Sequence, residues 1–110
     1  MANNKLYLKE SPVLKDLQEY VHELELDRDF ISQDVIQKCL LLGEEIGELF
    51  KAVRKAESIS IDKQNSKLTT VEEELADILI YICSIANRYN INLETAFRKK
   101  EEVNKKRVWN

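Results

Sequence analysis

Four carboxylates in two closely spaced pairs are the residues of this chain best suited to chemistry. Glu45 and Glu48 stand three apart in Leu42-Gly43-Glu44-Glu45-Ile46-Gly47-Glu48-Leu49, and Glu74 and Asp77 stand three apart in Glu74-Leu75-Ala76-Asp77-Ile78-Leu79-Ile80-Tyr81. On a helix that spacing puts both side chains of a pair on one face. Like charges so placed repel, and acids set among leucines and isoleucines are seldom buried without a partner. A divalent cation is the simplest partner. An all-oxygen ligand set suits Mg²⁺, with Mn²⁺ as a substitute, because Mg²⁺ is typically held by carboxylates together with the phosphates of a substrate.

A complementary set lies near the C-terminus. Lys100, Asn104 and Arg107 are spaced i, i+4, i+7 and continue the face that carries Leu93, Ala96 and Phe97. A stripe that starts apolar and ends in Lys, Asn and Arg starts in a core and ends at a pocket mouth. Arg offers a planar fork to phosphate oxygens, Lys a point charge, and Asn an amide donor. Acids for a metal and donors for phosphate point to a nucleoside di- or triphosphate and to its metal-assisted hydrolysis.

The elements that must position these residues are helical. The chain has 110 residues, enough for one small domain with its own core. Two glycines, one proline, 44% hydrophobic and 34% charged residues make a helix-rich balance rather than a disordered one. A tail of residues 1–10 precedes helices over about 12–27, 32–57, 70–89 and 93–107. Ser11-Pro12 opens the first, whose stripe is Val13, Leu14, Leu17, Tyr20, Val21 and Leu24. Ser32 opens the second, with Val35, Cys39, Leu42, Ile46, Leu49, Phe50 and Val53 as its apolar face. Thr70 and Glu73 form a capping-box pattern for the third; Asn90 ends it and Asn92 caps the fourth. At about 100° per residue, Glu45 and Glu48 border the stripe of the second helix, and Glu74, Asp77 and Tyr81 border that of the third. Antiparallel packing through those stripes brings the four acids to one pocket.

Leu75, Ala76, Ile78, Leu79, Ile80, Ile82, Cys83, Ile85 and Ala86 surround most of the third helix, and a helix apolar nearly all round is buried on several sides. The expectation is a homodimer or homotetramer with this helix in or near the interface; a compact monomer with it at the centre is the alternative.

The ordered pattern Glu44-Glu45-x-x-Glu48, Glu74-x-x-Asp77, Lys100-x-x-x-Asn104-x-x-Arg107 resembles the MazG-like members of the all-α nucleotide pyrophosphohydrolase superfamily, from about Lys38 to Trp109. The resemblance implies an all-α, four-helix MazG-like bundle completed by oligomerisation. It implies a Mg²⁺-dependent enzyme that cuts a nucleoside triphosphate between its α- and β-phosphates, giving monophosphate and pyrophosphate, with deoxynucleotides or non-canonical nucleotides as substrates. Glu45, Glu48, Glu74 and Asp77 would then be the metal ligands and Lys100, Asn104 and Arg107 the phosphate contacts. Tyr81 would lie against the nucleotide.

No residue is an obvious covalent nucleophile, so the mechanism implied is attack by a metal-activated water. Glu44 and Glu45 are the candidates to orient or deprotonate it. Lys38, two turns before Glu45, could contact the triphosphate, pair with an acid, or be an ordinary solvated lysine. The base pocket is expected from residues 29–37, with Phe30 as a stacking surface. Trp109 could cover a partner or the bundle end.

Other classes fit less well. A di-iron bundle needs Glu-x-x-His motifs, and His22 is the single histidine. The net charge of −3 argues against a general nucleic-acid binder. Cys39 and Cys83 lack metal-ligand spacing and read as small buried hydrophobes. The first ten residues lack a signal-peptide core, and the run Ile78 to Ala86 is too short for a bilayer, so a cytoplasmic location without membrane contact is expected. A non-catalytic helical interaction module is the main rival.

Overall fold

In a computed structural model that describes residues 6–58 and 69–108, the chain forms four helices, with no strand among the described residues. They are α1 (Leu14–Asp27), α2 (Val35–Ala56), α3 (Val71–Arg88) and α4 (Leu93–Lys105). None is long and apolar enough to cross a membrane. The fold is all-α, as the periodicity predicts. Trp109 and most of the expected 58–69 loop lie outside the described residues.

The chain divides into two compact units, Met1–Ser32 with Cys83–Asn110, and Gln33–Ile82; the division falls inside α3. In the first unit, α1 packs on α4. The helix begins at Leu14, two residues past the start expected at Pro12, because Ser11 adopts φ 50 and cannot cap. Asp16 does so from inside the helix, its Oδ2 accepting the Val13 N–H at 2.9 Å. The buried stripe of α1 is Gln18, Val21, Leu24 and Glu25, whereas Val13 is exposed.

Two polar members of that stripe are tied across the unit. Gln18 Nε2 donates to Asn87 Oδ1 at 3.1 Å and to the Ile91 carbonyl at 2.8 Å, while Gln18 Oε1 accepts the Leu93 N–H at 2.9 Å. Asn87 Nδ2 returns a bond to the Gln18 carbonyl at 2.9 Å. The turn so clamped carries Asn90 at φ 55, and Asn92 caps α4 by accepting the Thr95 N–H at 2.9 Å. Two turns further along α1, Arg88 Nη2 donates to Glu25 Oε2 at 3.1 Å and to the Phe30 carbonyl at 3.3 Å. Cys83, Ser84 and Ala86 are buried beside this set in the same unit.

In the second unit α2 starts at Val35, not at Ser32. Asp34 and Gln37 form the capping box, Asp34 Oδ1 accepting the Gln37 N–H and Gln37 Oε1 the Asp34 N–H, both at 2.8 Å. Thr70 Oγ1 accepts the Glu73 N–H at 3.1 Å at the start of α3. The buried face of α2 is rotated from the expected stripe: Lys38 and Ala52 are its buried residues, with Leu41, Leu42, Glu45, Leu49 and Glu48 half-buried around them. Cys39 is exposed, and Ile36, Leu40 and Phe50 are 68%, 69% and 65% exposed. The expected stripe weighed apolarity alone. The chain instead turns Lys38 and Glu45 toward α3 and leaves Ile36, Leu40 and Phe50 outward.

Candidate active site

The acids of the two pairs sit on one-sided helical frames. Glu45 is held on the inward face of α2 by the Lys38, Ala52 and Leu49 positions around it, and Glu74 and Asp77 project from the first two turns of α3. One carboxylate oxygen from each of Glu45, Glu74 and Asp77 lies within 4.8 Å of the others. Glu74 is buried, Glu45 half-buried and Asp77 exposed, so the cluster has a dry back wall and an open mouth.

The electrostatics are those of crowded like charges. The Glu45 carboxyl shares a hydrogen bond with Glu74, and this bond, followed by burial and the charges of Glu74, Asp77 and Glu48, pushes its pKa from 4.5 up to about 7. Tyr81, one turn beyond Asp77, has its phenol pushed up by burial and then by the charges of Glu45, Asp77 and Glu44. Its hydroxyl therefore lies in the field of the same acids. Lys38, 3% exposed, places its ammonium 5.7 Å from the centre of the Tyr81 ring.

The donor set fits a small hard cation. Three carboxylates that bring oxygens within 4.8 Å of one another are the right chemistry for it. A cation there would also relieve the repulsion that holds Glu45 near neutrality.

Of the residues singled out in the sequence, three of the four acids converge. Glu48 stands outside that set, its Oε2 3.7 Å from Lys51 Nζ, although its charge is felt by Glu45. Glu44 is exposed, and its charge reaches Tyr81. Lys38 is buried, which removes the reading of a solvated lysine. Lys100, Asn104 and Arg107 belong to the other unit; Lys100 and Arg107 are exposed, Asn104 is half-buried, and Arg107 lies past the end of α4 in a turn closed by its N–H on the Asn104 carbonyl at 3.1 Å. Phe30 also belongs to that unit, 39% exposed, in the turn held by Arg88. The residues missed in the sequence are Gln18, Glu25 and Arg88, whose partners are 58 to 75 positions away.

A family model, the MazG nucleotide pyrophosphohydrolase domain, matches residues 33–108. Two mammalian proteins called dCTP pyrophosphatase 1 are similar: that of Rattus norvegicus is 31% identical over 100 residues, 87% of this chain and 59% of its own length. That of Homo sapiens is 27% identical over 110 residues, 96% of this chain and 65% of its own. The chain thus spans under two thirds of either. Among solved structures, iMazG from Vibrio DAT 722 is 33% identical with a TM-score of 0.60, over 86% of this chain and 99% of that one.

Proposed function

The chain belongs to the MazG nucleotide pyrophosphohydrolase family, and we propose that it hydrolyses a nucleoside triphosphate between the α- and β-phosphates in a Mg²⁺-dependent reaction, giving monophosphate and pyrophosphate. The observation that carries this reading is the convergence of Glu45, Glu74 and Asp77, with Glu45 pushed up to about 7 by its neighbours.

Glu45, Glu74 and Asp77 hold the metal, with Glu48 beside them as the fourth acid. When bound, a divalent ion supplies charge stabilisation at the phosphoryl oxygens and lowers the pKa of a water. Glu44, exposed and within reach of the Tyr81 field, orients or deprotonates the attacking water, a task that Glu45 shares in its ionised form. Lys100, Asn104 and Arg107 contact the phosphates, Tyr81 lies against the nucleotide, and Phe30 offers a surface to the base. Deoxynucleotides or non-canonical nucleotides are the substrate class. Deoxycytidine triphosphate is the first to try, since the rat and human relatives carry that name.

The protein acts in the cytoplasm, where nucleoside triphosphates are made and used, as a homodimer or homotetramer. Self-association is supported by the outward apolar residues of the second unit, Ile36, Leu40 and Phe50 on α2 with Leu75, Leu79 and Ile82 on α3, the last three 52%, 39% and 38% exposed. Six large apolar side chains open to water within one unit give self-association a surface to use. Leu40→Glu with Phe50→Glu is expected to lower the sedimenting mass to that of one chain; an unchanged mass would place the interface elsewhere.

The test of function is a panel of canonical, deoxy and modified triphosphates incubated with Mg²⁺ and scored for monophosphate and pyrophosphate. Release of inorganic phosphate with a diphosphate left behind, or turnover in excess chelator, would sink the reading.

A further inference from the structure

Lys38 is a buried charge whose role the carboxylate chemistry leaves open. Lysine is almost never fully buried without a purpose for its charge, yet Lys38 is 3% exposed on the inward face of α2. A side chain so enclosed is poorly placed to take a phosphate from solvent. Its position in the register says what it does instead.

Seven residues separate Lys38 from Glu45 along α2, and seven separate Glu74 from Tyr81 along α3. Lys38 meets Tyr81, and Glu45 meets Glu74. Within this unit the two helices are therefore antiparallel in a single register, and the lysine–tyrosine layer lies two turns, about 10 Å along the axis, from the carboxylate layer. Helical side chains lean toward the N-terminus of their own helix, so Tyr81 leans back along α3 toward Asp77 and Glu74. The ring bridges the two layers, its ammonium-facing side at Lys38 and its hydroxyl in the field of the acids.

We propose that Lys38 is a positioning residue and the built-in countercharge of the acidic site: it seats the Tyr81 ring against the carboxylates and, as a cation two turns from them, weakens their hold on a divalent ion. The proposal rests on the reading of Glu45, Glu74 and Asp77 as a metal site. A unit charge some 10 Å from a divalent ion opposes its binding by about fourfold at the dielectric of water and by more in a half-buried site.

The test is Mn²⁺ binding to the full chain, followed by electron paramagnetic resonance at pH 8, alongside triphosphate kinetics. Lys38→Met keeps the stem and removes the charge. It is expected to bind Mn²⁺ about fourfold tighter or more, while kcat falls by about tenfold and KM moves little, because the ring is no longer held. Lys38→Arg, which keeps both the charge and the stacking, is expected to bind Mn²⁺ as the wild type does. Mn²⁺ binding that is unchanged or weaker in Lys38→Met overturns the proposal, as does a rise in KM alone, which would make Lys38 a phosphate contact. Should Lys38→Met fail to fold, Lys38→Gln answers the same measurement with the same two outcomes. A wild type that hydrolyses no triphosphate, with Mn²⁺ binding still tightened in Lys38→Met, would overturn the proposed function and support the countercharge; a wild type that binds no Mn²⁺ overturns both.

Discussion

The two units bury polar groups for opposite ends. In the unit built from α1 and α4, Gln18 and Glu25 are 7% and 2% exposed, and each is matched by groups of complementary kind: amide to amide and carbonyl for Gln18, guanidinium to carboxylate for Glu25. In the unit of residues 33–82, Glu74 is 3% exposed and one group it meets is another carboxylate, that of Glu45. Complementary burial stabilises a fold, because each desolvated group regains its bonds. Burial of like against like costs stability, and a chain keeps it where a ligand is due. The first unit is built to hold shape, the second to hold charge.

The largest effect that could break this contrast is on turnover. Asp77→Asn keeps shape and removes one ligand charge, and turnover is expected to fall by about a hundredfold or more, with thermal unfolding of the metal-free chain unchanged or slightly later. A variant that stays active would remove the metal assignment and leave the second unit with an unexplained acid cluster. The counterpart in the first unit is Glu25→Ala, which removes the carboxylate that Arg88 bonds at 3.1 Å. Breaking a buried pair costs roughly 3–5 kcal/mol, and the Arg88 side chain is 20% exposed, so about 3 kcal/mol is expected from denaturant unfolding. Gln18→Ala should cost about 2 kcal/mol by leaving the Leu93 N–H and the Asn87 amide short of a partner. Mn²⁺ affinity should be untouched in both. A loss of affinity there as large as the loss of stability would collapse the distinction between the units.

How much of this was legible in the sequence follows the range of the interactions. Four helices were legible because apolar periodicity is local, and Asn90, Asn92 and Thr70 mark their ends by local chemistry too. The α1 and α2 starts were misplaced by two or three residues for the same reason: Ser11 and Ser32 are good caps in isolation, yet Asp16 and Asp34 provide the bonds that are made. The convergence of Glu45, Glu74 and Asp77 could be read from spacing. The rotation of α2 could not, since an apolar stripe does not say whether it faces its own chain or another. The pairing of Gln18 and Glu25 could not be read either, for nothing nearby in sequence reveals Ile91, Leu93 or Arg88.

The smallest effect is the sharpest on sign. Glu45 has its pKa raised in the folded chain, from 4.5 to about 7, so the folded state binds that proton more tightly than the unfolded state does. The stability it contributes is fully present below about pH 4.5 and is lost as pH rises through about 7. In chelator, unfolding of the wild type should therefore move to lower temperature between pH 5.5 and pH 8, and Glu45→Gln, which cannot ionise but can still bond Glu74, should flatten that slope and unfold later than the wild type at pH 8. With Mg²⁺ the trend of the wild type should reverse, because the ion competes with the proton and gains hold across the same window. In the first unit, Gln18→Ala should lower stability by the same amount at both pH values and with or without Mg²⁺. If Glu45→Gln instead unfolds earlier than the wild type in chelator at pH 8, the carboxylate is stabilised by its surroundings as an anion, and the cluster is one more complementary network like that of the first unit.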